Sequence, residues 1–433
     1  MAFHIEADQQ KPNDTTLTIH RSTQEIGGNV IELEHDGHRL ILDVGSPLDP
    51  PPGATPAGLV PGTLDLTRPV DAVVVSHPHQ DHYGLLSALP DDWLVWSGAP
   101  SETLMRLTAA ITGGRYAQTF HNYRSFEPFT VGPFTVTPYL TDHSAFDAHM
   151  LLVEVGGKRI LYSGDFRRTG RKSVLVDRML ADPPTDVDVL LLEGTTLGRT
   201  GGFPTEQDIE QDFIRKFRET LGRVFVTWSA QNIDRTVTIY RACLQAGRTL
   251  VLDAYAMDVL ERVAQFSQGI PRVGRERLAA VVAPSNHYLY HDAGRINAPE
   301  FLDRLAKSGR ASGVAKLETA SHDTVVMLRP PLLRDYQRKG VVLVPDDAWV
   351  FSMWSGYLDR ESFAPVRDAF AEVGVEPDLI HTSGHASRED LLAFAAAVAP
   401  KQLIPIHGDS WDEHGGCFDD LRRLADGEVL HLA

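Results

Sequence analysis

Three histidines and an aspartate fall within six residues, His77-Pro78-His79-Gln80-Asp81-His82, directly behind the apolar run Ala72-Val73-Val74-Val75. Alternate residues of an extended strand end point to one side, so His77 and His79 can share a metal ion. The turn that follows sends Asp81 and His82 to a second. A chain carrying such a segment needs a fold whose strands end in rigid functional loops. Four more short apolar runs meet that need: Arg39-Leu40-Ile41-Leu42 before Asp43, Arg159-Ile160-Leu161-Tyr162 before Gly164-Asp165, Val189-Leu190-Leu191-Leu192 before Glu193, and Leu403-Ile404-Pro405-Ile406 before His407. Five strands that each deliver a histidine or an acid at the carboxyl end suggest convergence on one site, where α/β folds place their ligands.

The remaining candidates complete a ligand count. Thr141-Asp142-His143-Ser144 adds a histidine, Ser163-Gly164-Asp165 a carboxylate and Pro405-Ile406-His407-Gly408-Asp409 a last histidine. Two ions need about three protein ligands each and a bridging group. The set closes with His77, His79 and His143 on one ion, Asp81, His82 and His407 on the other, and Asp165 between them. Asp43 reads as a residue behind the ligands that orients an imidazole. Glycine beside Asp165 and beside His407 allows a close backbone approach. Imidazole with carboxylate and no thiolate favours two Zn2+, and Mn2+ also suits these donors.

Between these segments the pattern changes. Residues 45–64 form a Pro/Gly-rich loop, and Leu197–Pro204 is a second break. After it, Thr205 with Asp208 resembles a capping box, and Ile209, Phe213, Phe217 and Leu221 recur every four residues on one helical face. Strand-like Val224–Thr227, a helix over 232–244, strand-like Thr249–Leu252 and a helix beginning near Met257 follow. That alternation predicts a parallel α/β sheet of its own, with further strands at Thr324–Leu328, Val341–Val344 and Ala348–Phe351. From Leu379-Ile380-His381 the first pattern returns. The expected organisation is one α/β metal-binding domain, residues 1–204 with 379–433, interrupted by an inserted domain over 205–378.

The 433 residues carry a formal net charge of −17, which disfavours a module that coats nucleic acid by bulk positive charge. Two cysteines are too few for a disulfide framework or a thiolate zinc site. The amino-terminal MAFHIEADQQ lacks a basic and an apolar signal region, and no apolar run approaches the length of a membrane span, so a cytoplasmic protein without membrane partners is expected.

His77-Pro78-His79-Gln80-Asp81-His82 with Asp43, His143, Asp165 and His407 resembles the metallo-β-lactamase superfamily. Glu193-Gly194-Thr195, Ser383-Gly384-His385-Ala386 and Pro405-Ile406-His407-Gly408-Asp409 resemble three late motifs of its β-CASP nuclease branch. Within that branch, Gln24-Glu25-Ile26-Gly27-Gly28-Asn29, Ser163-Gly164-Asp165-Phe166-Arg167 and Asn232-Ile233-Asp234-Arg235 are most similar to bacterial ribonuclease J. The resemblance implies an αββα sandwich with an inserted parallel α/β domain, a dinuclear zinc centre in the crevice and hydrolysis of RNA, with DNA the nearest rival substrate. Asp409 departs from the glutamate common there. The family's additional C-terminal domain has no counterpart before the last residue, which leaves a homodimer open.

The mechanism so implied is attack of a hydroxide bridging the two metals on phosphorus, by a 5′ exonuclease, an endonuclease or both. Asp81, His385 and Glu193 are the catalytic candidates, with His385 protonating the leaving oxygen and Glu193 orienting it or raising its pKa. Ser229, Asn232 and Arg235, at a strand end and helix N-terminus, suit a phosphate. Ser352, Ser355, Trp354 and Tyr357 follow another apolar strand and could line the same groove, an aromatic ring stacking a base. Arg167 heads the densest basic run, with Arg168, Arg171 and Lys172, as a phosphate contact. A β-CASP DNA nuclease is disfavoured by the presence of His407. A hydrolase of small esters or thioesters has no use for residues 205–378, and a scaffold that lost its metals would not keep this ligand set.

Overall fold

A computed structural model describes residues 14–432 of the chain, apart from 292–295, 297, 320 and 321. The amino-terminal decapeptide read above lies outside the described residues. Among those described, the strands form three sheets. The first runs Val429–Leu432, Thr15–Arg21, Val30–His35, His38–Val44, Ala72–Val74, Val95–Gly98 and Phe120–Tyr123 in spatial order. The second runs Gln402–Ile406, Val189–Glu193, Lys158–Tyr162, His149–Val155, Phe134–Leu140 and Phe129–Val131.

These two sheets pack face to face. Val189 and Leu191, two residues apart, point inward with Ile404 and Ile406 against Leu40, Leu42, Ala72 and Val74 of the first sheet. The intervening Leu190, Leu192 and Leu403 point outward onto the helices Ser173–Ala181 and Arg388–Val398. Val73 and Val75 likewise face Tyr83, Leu86 and Met105, the last on the helix Ala99–Thr112. Both faces of each central strand are therefore covered, which is why these runs are apolar throughout instead of alternating with polar residues. The layers are helix, sheet, sheet, helix, the arrangement that the resemblance implies.

The third sheet runs Ala311–Gly313, Leu278–Val282, Thr249–Asp253, Thr324–Met327, Val224–Thr227, Ala348–Phe351 and Pro377–Leu379, every pair parallel. Helices Glu206–Glu219, Ile233–Ala246 and Ala254–Val263 cover one face, and Pro330–Arg338 and Ala364–Ala371 the other. Thr205 and Asp208 form the expected reciprocal cap on Glu206–Glu219.

Three details differ from the sequence reading. Leu221 lies beyond the helix end at Glu219 and is 74% exposed, so the buried stripe stops at Phe217. Residues 341–344 form no strand although Val341 and Leu343 are buried and Val342 and Val344 exposed. Their alternation comes from a loop pinned by side chains: the Val342 carbonyl accepts from Arg223 and the Val344 amide donates to Asp347. Leu379 ends an edge strand of the third sheet, paired with Phe351, and does not begin a return to the first two sheets. Among the described residues no helix is long and apolar enough to cross a membrane.

Because Phe213 is fully buried and Leu221 is not, Phe213→Ala should destabilise the chain by about 3–5 kcal/mol. Leu221→Ala should stay within about 0.5 kcal/mol of wild type in denaturant unfolding. Equal effects would place the helix end wrongly.

Candidate metal centre

The five strand ends singled out in the sequence meet at one edge of the sandwich. His38–Val44 runs parallel to Ala72–Val74, and Lys158–Tyr162, Val189–Glu193 and Gln402–Ile406 are mutually parallel, so their loops leave on a common side. Two groups of donor atoms result, His77, His79 and His143 in one, and Asp81, His82, Asp165 and His407 in the other; a third, Asp165, Glu193, His385 and His407, overlaps the second. Within each group the donors lie within 4.8 Å of one another. Asp165 Oδ2 spans both, at 3.2 Å from His82 Nε2, 3.7 Å from His77 Nε2 and from His407 Nε2, and 4.0 Å from His143 Nε2.

Side chains behind the donors fix which ring nitrogen faces inward. His82 Nδ1 lies 2.7 Å from Asp43 Oδ2, His77 Nδ1 3.0 Å from Ser76 Oγ, and His407 Nδ1 2.8 Å from Thr195 Oγ1, while His143 Nδ1 lies against the Gly384 carbonyl. Each thereby turns Nε2 toward the centre. His79 instead presents Nδ1, 3.1 Å from His143 Nε2. Asp43 also accepts from the Ser76 amide and hydroxyl and from the Tyr162 hydroxyl, itself held by Asn29. Asp43 and His407 adopt φ of +56° and +48°, a left-handed backbone that non-glycine residues take only under constraint. At Gly164, φ +50°, an added Cβ would sit 2.9 Å from the His149 carbonyl, so only glycine lets the chain turn there to deliver Asp165.

The donors fit divalent cations. His77 Nε2, His82 Nε2 and both oxygens of Asp165 are buried without a hydrogen-bond partner, and polar atoms so placed are costly unless something charged engages them. Burial holds His77 and His143 well below their ordinary pKa and takes His79 to about 4, so these imidazoles are neutral, the form that ligates. Burial also opposes the charge on His82, but Asp165, Asp81 and Asp43 overcome it and hold His82 well above its ordinary value. Three carboxylates against one ring are the electrostatic signature of a place for added positive charge.

His385 and Glu193 adjoin the second group. His385 Nδ1 is 2.9 Å from Glu193 Oε2 and 3.8 Å from Asp165 Oδ2, and Glu193 Oε1 accepts from the Phe166 amide. Although burial favours the neutral ring, Glu193 and Asp165 raise the His385 pKa to about 9.

The expected phosphate contacts fare differently. Arg167 is fully buried, with Asp234 Oδ2 at 2.8 Å, Glu206 Oε1 at 3.4 Å and Asp142 Oδ1 at 3.5 Å. Arg235 is buried too, against Glu206 and the Ser352 carbonyl and hydroxyl, and Ser352 Oγ donates a hydrogen bond to the Ile380 carbonyl. These three residues are consumed by internal pairing and do not reach a ligand. Asn232 caps the helix Ile233–Ala246 by accepting from the Arg235 amide. Arg168 pairs with Asp177 and Arg171 with Glu210, so the basic run is largely neutralised. Ser229 and Ser355 are exposed, Ser229 on a cavity of about 370 Å³ that Gln231, Tyr255 and Arg329 also line. Sequence reasoning missed Ser76, Tyr162 and Thr195, whose hydroxyls act on the ligands from behind and leave no spacing pattern.

The chain matches the family model described as Metallo-beta-lactamase superfamily over residues 24–197. It matches the model described as Zn-dependent metallo-hydrolase RNA specificity domain over residues 377–411. Curated relatives named Ribonuclease J include one from Mycobacterium tuberculosis, 27% identical over 410 residues, covering 89% of this chain and 67% of the relative. Another, from Mycoplasma genitalium, is 23% identical over 428 residues, 94% of this chain and 72% of the relative. A solved protein of unknown function from Enterococcus faecalis V583 superposes with a TM-score of 0.77 at 20% identity, over 97% of this chain and 100% of that one, a likeness of fold.

Asp43→Asn replaces the acceptor that orients His82 with a side chain whose amide can present a donor. Chelator competition should then show divalent metal bound roughly 10- to 100-fold more weakly. Unchanged affinity would mean that Asp43 serves packing alone.

Proposed function

We propose that the chain is a metal-dependent hydrolase of the nuclease branch of the metallo-β-lactamase superfamily and cleaves RNA phosphodiester bonds, as a 5′ exonuclease, an endonuclease or both. The observation that carries this reading is the pair of donor groups sharing Asp165, with the hydrogen-bonded His385–Glu193 pair beside them. The relatives named Ribonuclease J and the match to an RNA specificity domain support RNA as the substrate. His77, His79 and His143 would hold one Zn2+, and Asp81, His82 and His407 the other, with Asp165 facing both. When bound, two such cations supply Lewis acidity toward water and toward the phosphoryl oxygens.

The protein's own groups do the rest. Glu193 holds His385 at Nδ1 and leaves Nε2 as the proton donor, which suits protonation of the departing 3′-oxygen. The buried Asp165 and the neutral imidazoles keep their donors aimed inward with little motion left to freeze. Residues 205–378 would form the substrate-guiding domain over this centre. The free thiols of the buried Cys243 and exposed Cys417 fit a reducing, cytoplasmic setting.

The test is purified protein given 5′-monophosphate, 5′-triphosphate and hydroxyl-ended RNA beside matched DNA, with and without chelator. RNA cleavage that chelator abolishes is expected. Turnover of a thioester with no nucleic acid cut would overturn the reading. His385→Ala should retain metal while cleavage falls by about 10²- to 10⁴-fold; loss of metal would make His385 a ligand instead. The proton donor must be charged, so activity should persist through neutrality and fall as pH rises through about 9. Glu193→Gln removes a raising charge and should move that alkaline limb to lower pH.

A further inference from the structure

Beside the metal centre lies an exposed aromatic surface that the proposed chemistry does not use. Trp354 is 45% exposed, at the end of the loop that follows the strand Ala348–Phe351. Its open face is a broad planar surface that another flat ring can cover. The ring is also held in place. A Cβ at Gly356 would lie 2.4–2.6 Å from three of its carbons, so the indole rests directly on the Gly356 backbone, and Tyr357 meets it edge-on with centroids 5.3 Å apart. The short turn Ser355–Tyr357 fixes both through the Tyr357 amide, which donates to the Trp354 carbonyl.

Cations flank the ring. The Arg199 guanidinium stands 5.8 Å from the Trp354 centroid, and that of Arg360 4.6 Å from the Tyr357 centroid. Arg360 also pairs with Asp49 at 2.8 Å, linking this loop to the Pro/Gly-rich loop after the strand His38–Val44. Both neighbours lead back to the metal donors. Asp49 follows Leu48, whose Cγ and Asp81 Oδ2 each lie 2.9 Å from the place of a Cβ on Gly27. Arg199 stands four residues beyond Thr195, the partner of His407.

We propose that Trp354, backed by Tyr357 and flanked by Arg199 and Arg360, is a stacking site for one unpaired nucleobase of the substrate strand, with the two arginines taking the phosphates on either side of it. This rests on the nucleic-acid reading above and assigns it a subsite. An indole face accepts any base but only one free of a duplex, so the site selects single strands without selecting sequence. A guanidinium beside the ring supplies both a cation for phosphate and a second planar surface for the base. With Arg167 and Arg235 turned inward, Arg199 and Arg360 are the arginines placed to meet an anionic chain at this rim.

The experiment uses the metal-loaded protein and an unstructured oligoribonucleotide with phosphorothioate linkages to slow cleavage, carrying 2-aminopurine at successive positions. In wild type, fluorescence should be quenched strongly at one position. Trp354→Phe should keep that quench, whereas Trp354→Leu should abolish it and weaken binding roughly 5- to 100-fold. Both variants should melt as wild type does. Arg199→Ala and Arg360→Ala should each reduce the slope of log K against log salt by about 0.7. Wild type that cuts RNA but shows no position-specific quench, or a Trp354→Leu protein that binds as tightly as wild type, overturns the stacking site alone. Wild type that neither binds nor cuts RNA overturns the nuclease reading and this site with it.

Discussion

The arrangement depends on one buried carboxylate. Asp165 is 1% exposed, both its oxygens lack a hydrogen-bond donor, and five imidazole nitrogens stand within 4.0 Å of Oδ2. A carboxylate in such surroundings is several kcal/mol less stable than in water unless positive charge offsets it. Bringing that charge means bringing ligands from separate chain segments to one point, and the topology follows from this requirement. Parallel pairing within each sheet puts strand carboxyl ends on the same edge, and the sandwich places those two edges side by side. The left-handed backbone at Asp43, Gly164 and His407 is the local cost of turning each chain sharply at that edge.

A second buried network ties the third sheet to this centre. Arg167 sits two residues beyond Asp165 and pairs with Asp234 and Glu206. Arg235 pairs with the same Glu206 and with Ser352, and the Arg167 guanidinium also donates to the Ser383 carbonyl, two residues before His385. Removing one partner from such a set leaves an unpaired charge in a dry place, which is far more damaging than losing an exposed pair. The geometry of His385 is therefore coupled to the helices Glu206–Glu219 and Ile233–Ala246, which belong to the layer of the third sheet and yet help hold this imidazole in position.

Much of this was legible in the sequence because it rests on short-range rules. Strand runs ending in His77, Asp165, Glu193 and His407 could be read because both faces of those strands are buried, and Thr205 with Asp208 because a cap is a local pattern. What could not be read is partner choice. Arg167 and Arg235 look like phosphate ligands in a linear sequence, since nothing local reveals that Glu206, Asp234 and Ser352 will enclose them. Val341–Val344 alternates as a strand would, yet Arg223, far away in sequence, and Asp347, three residues beyond Val344, claim its polar groups. Thr195, Ser76 and Tyr162 act through single hydroxyl contacts, which have no periodicity to detect.

The acidic net charge gains a different meaning from these placements. A charge of −17 with the basic run of 167–172 largely spent on internal carboxylates leaves little long-range attraction for an anionic polymer. What attraction there is must be local, because charges beyond about a Debye length are screened while those at the centre are not. The clustered donors around Asp165 are where bound cations would reverse the sign, and Arg199 and Arg360 are proposed to border the same opening. An acidic surface outside and a cationic spot inside favour a strand whose end or flexible segment can enter the cleft over a polymer lying across the exterior. Discrimination then lies in access to the centre and in stacking at its rim, with little contribution from adhesion to the surface as a whole.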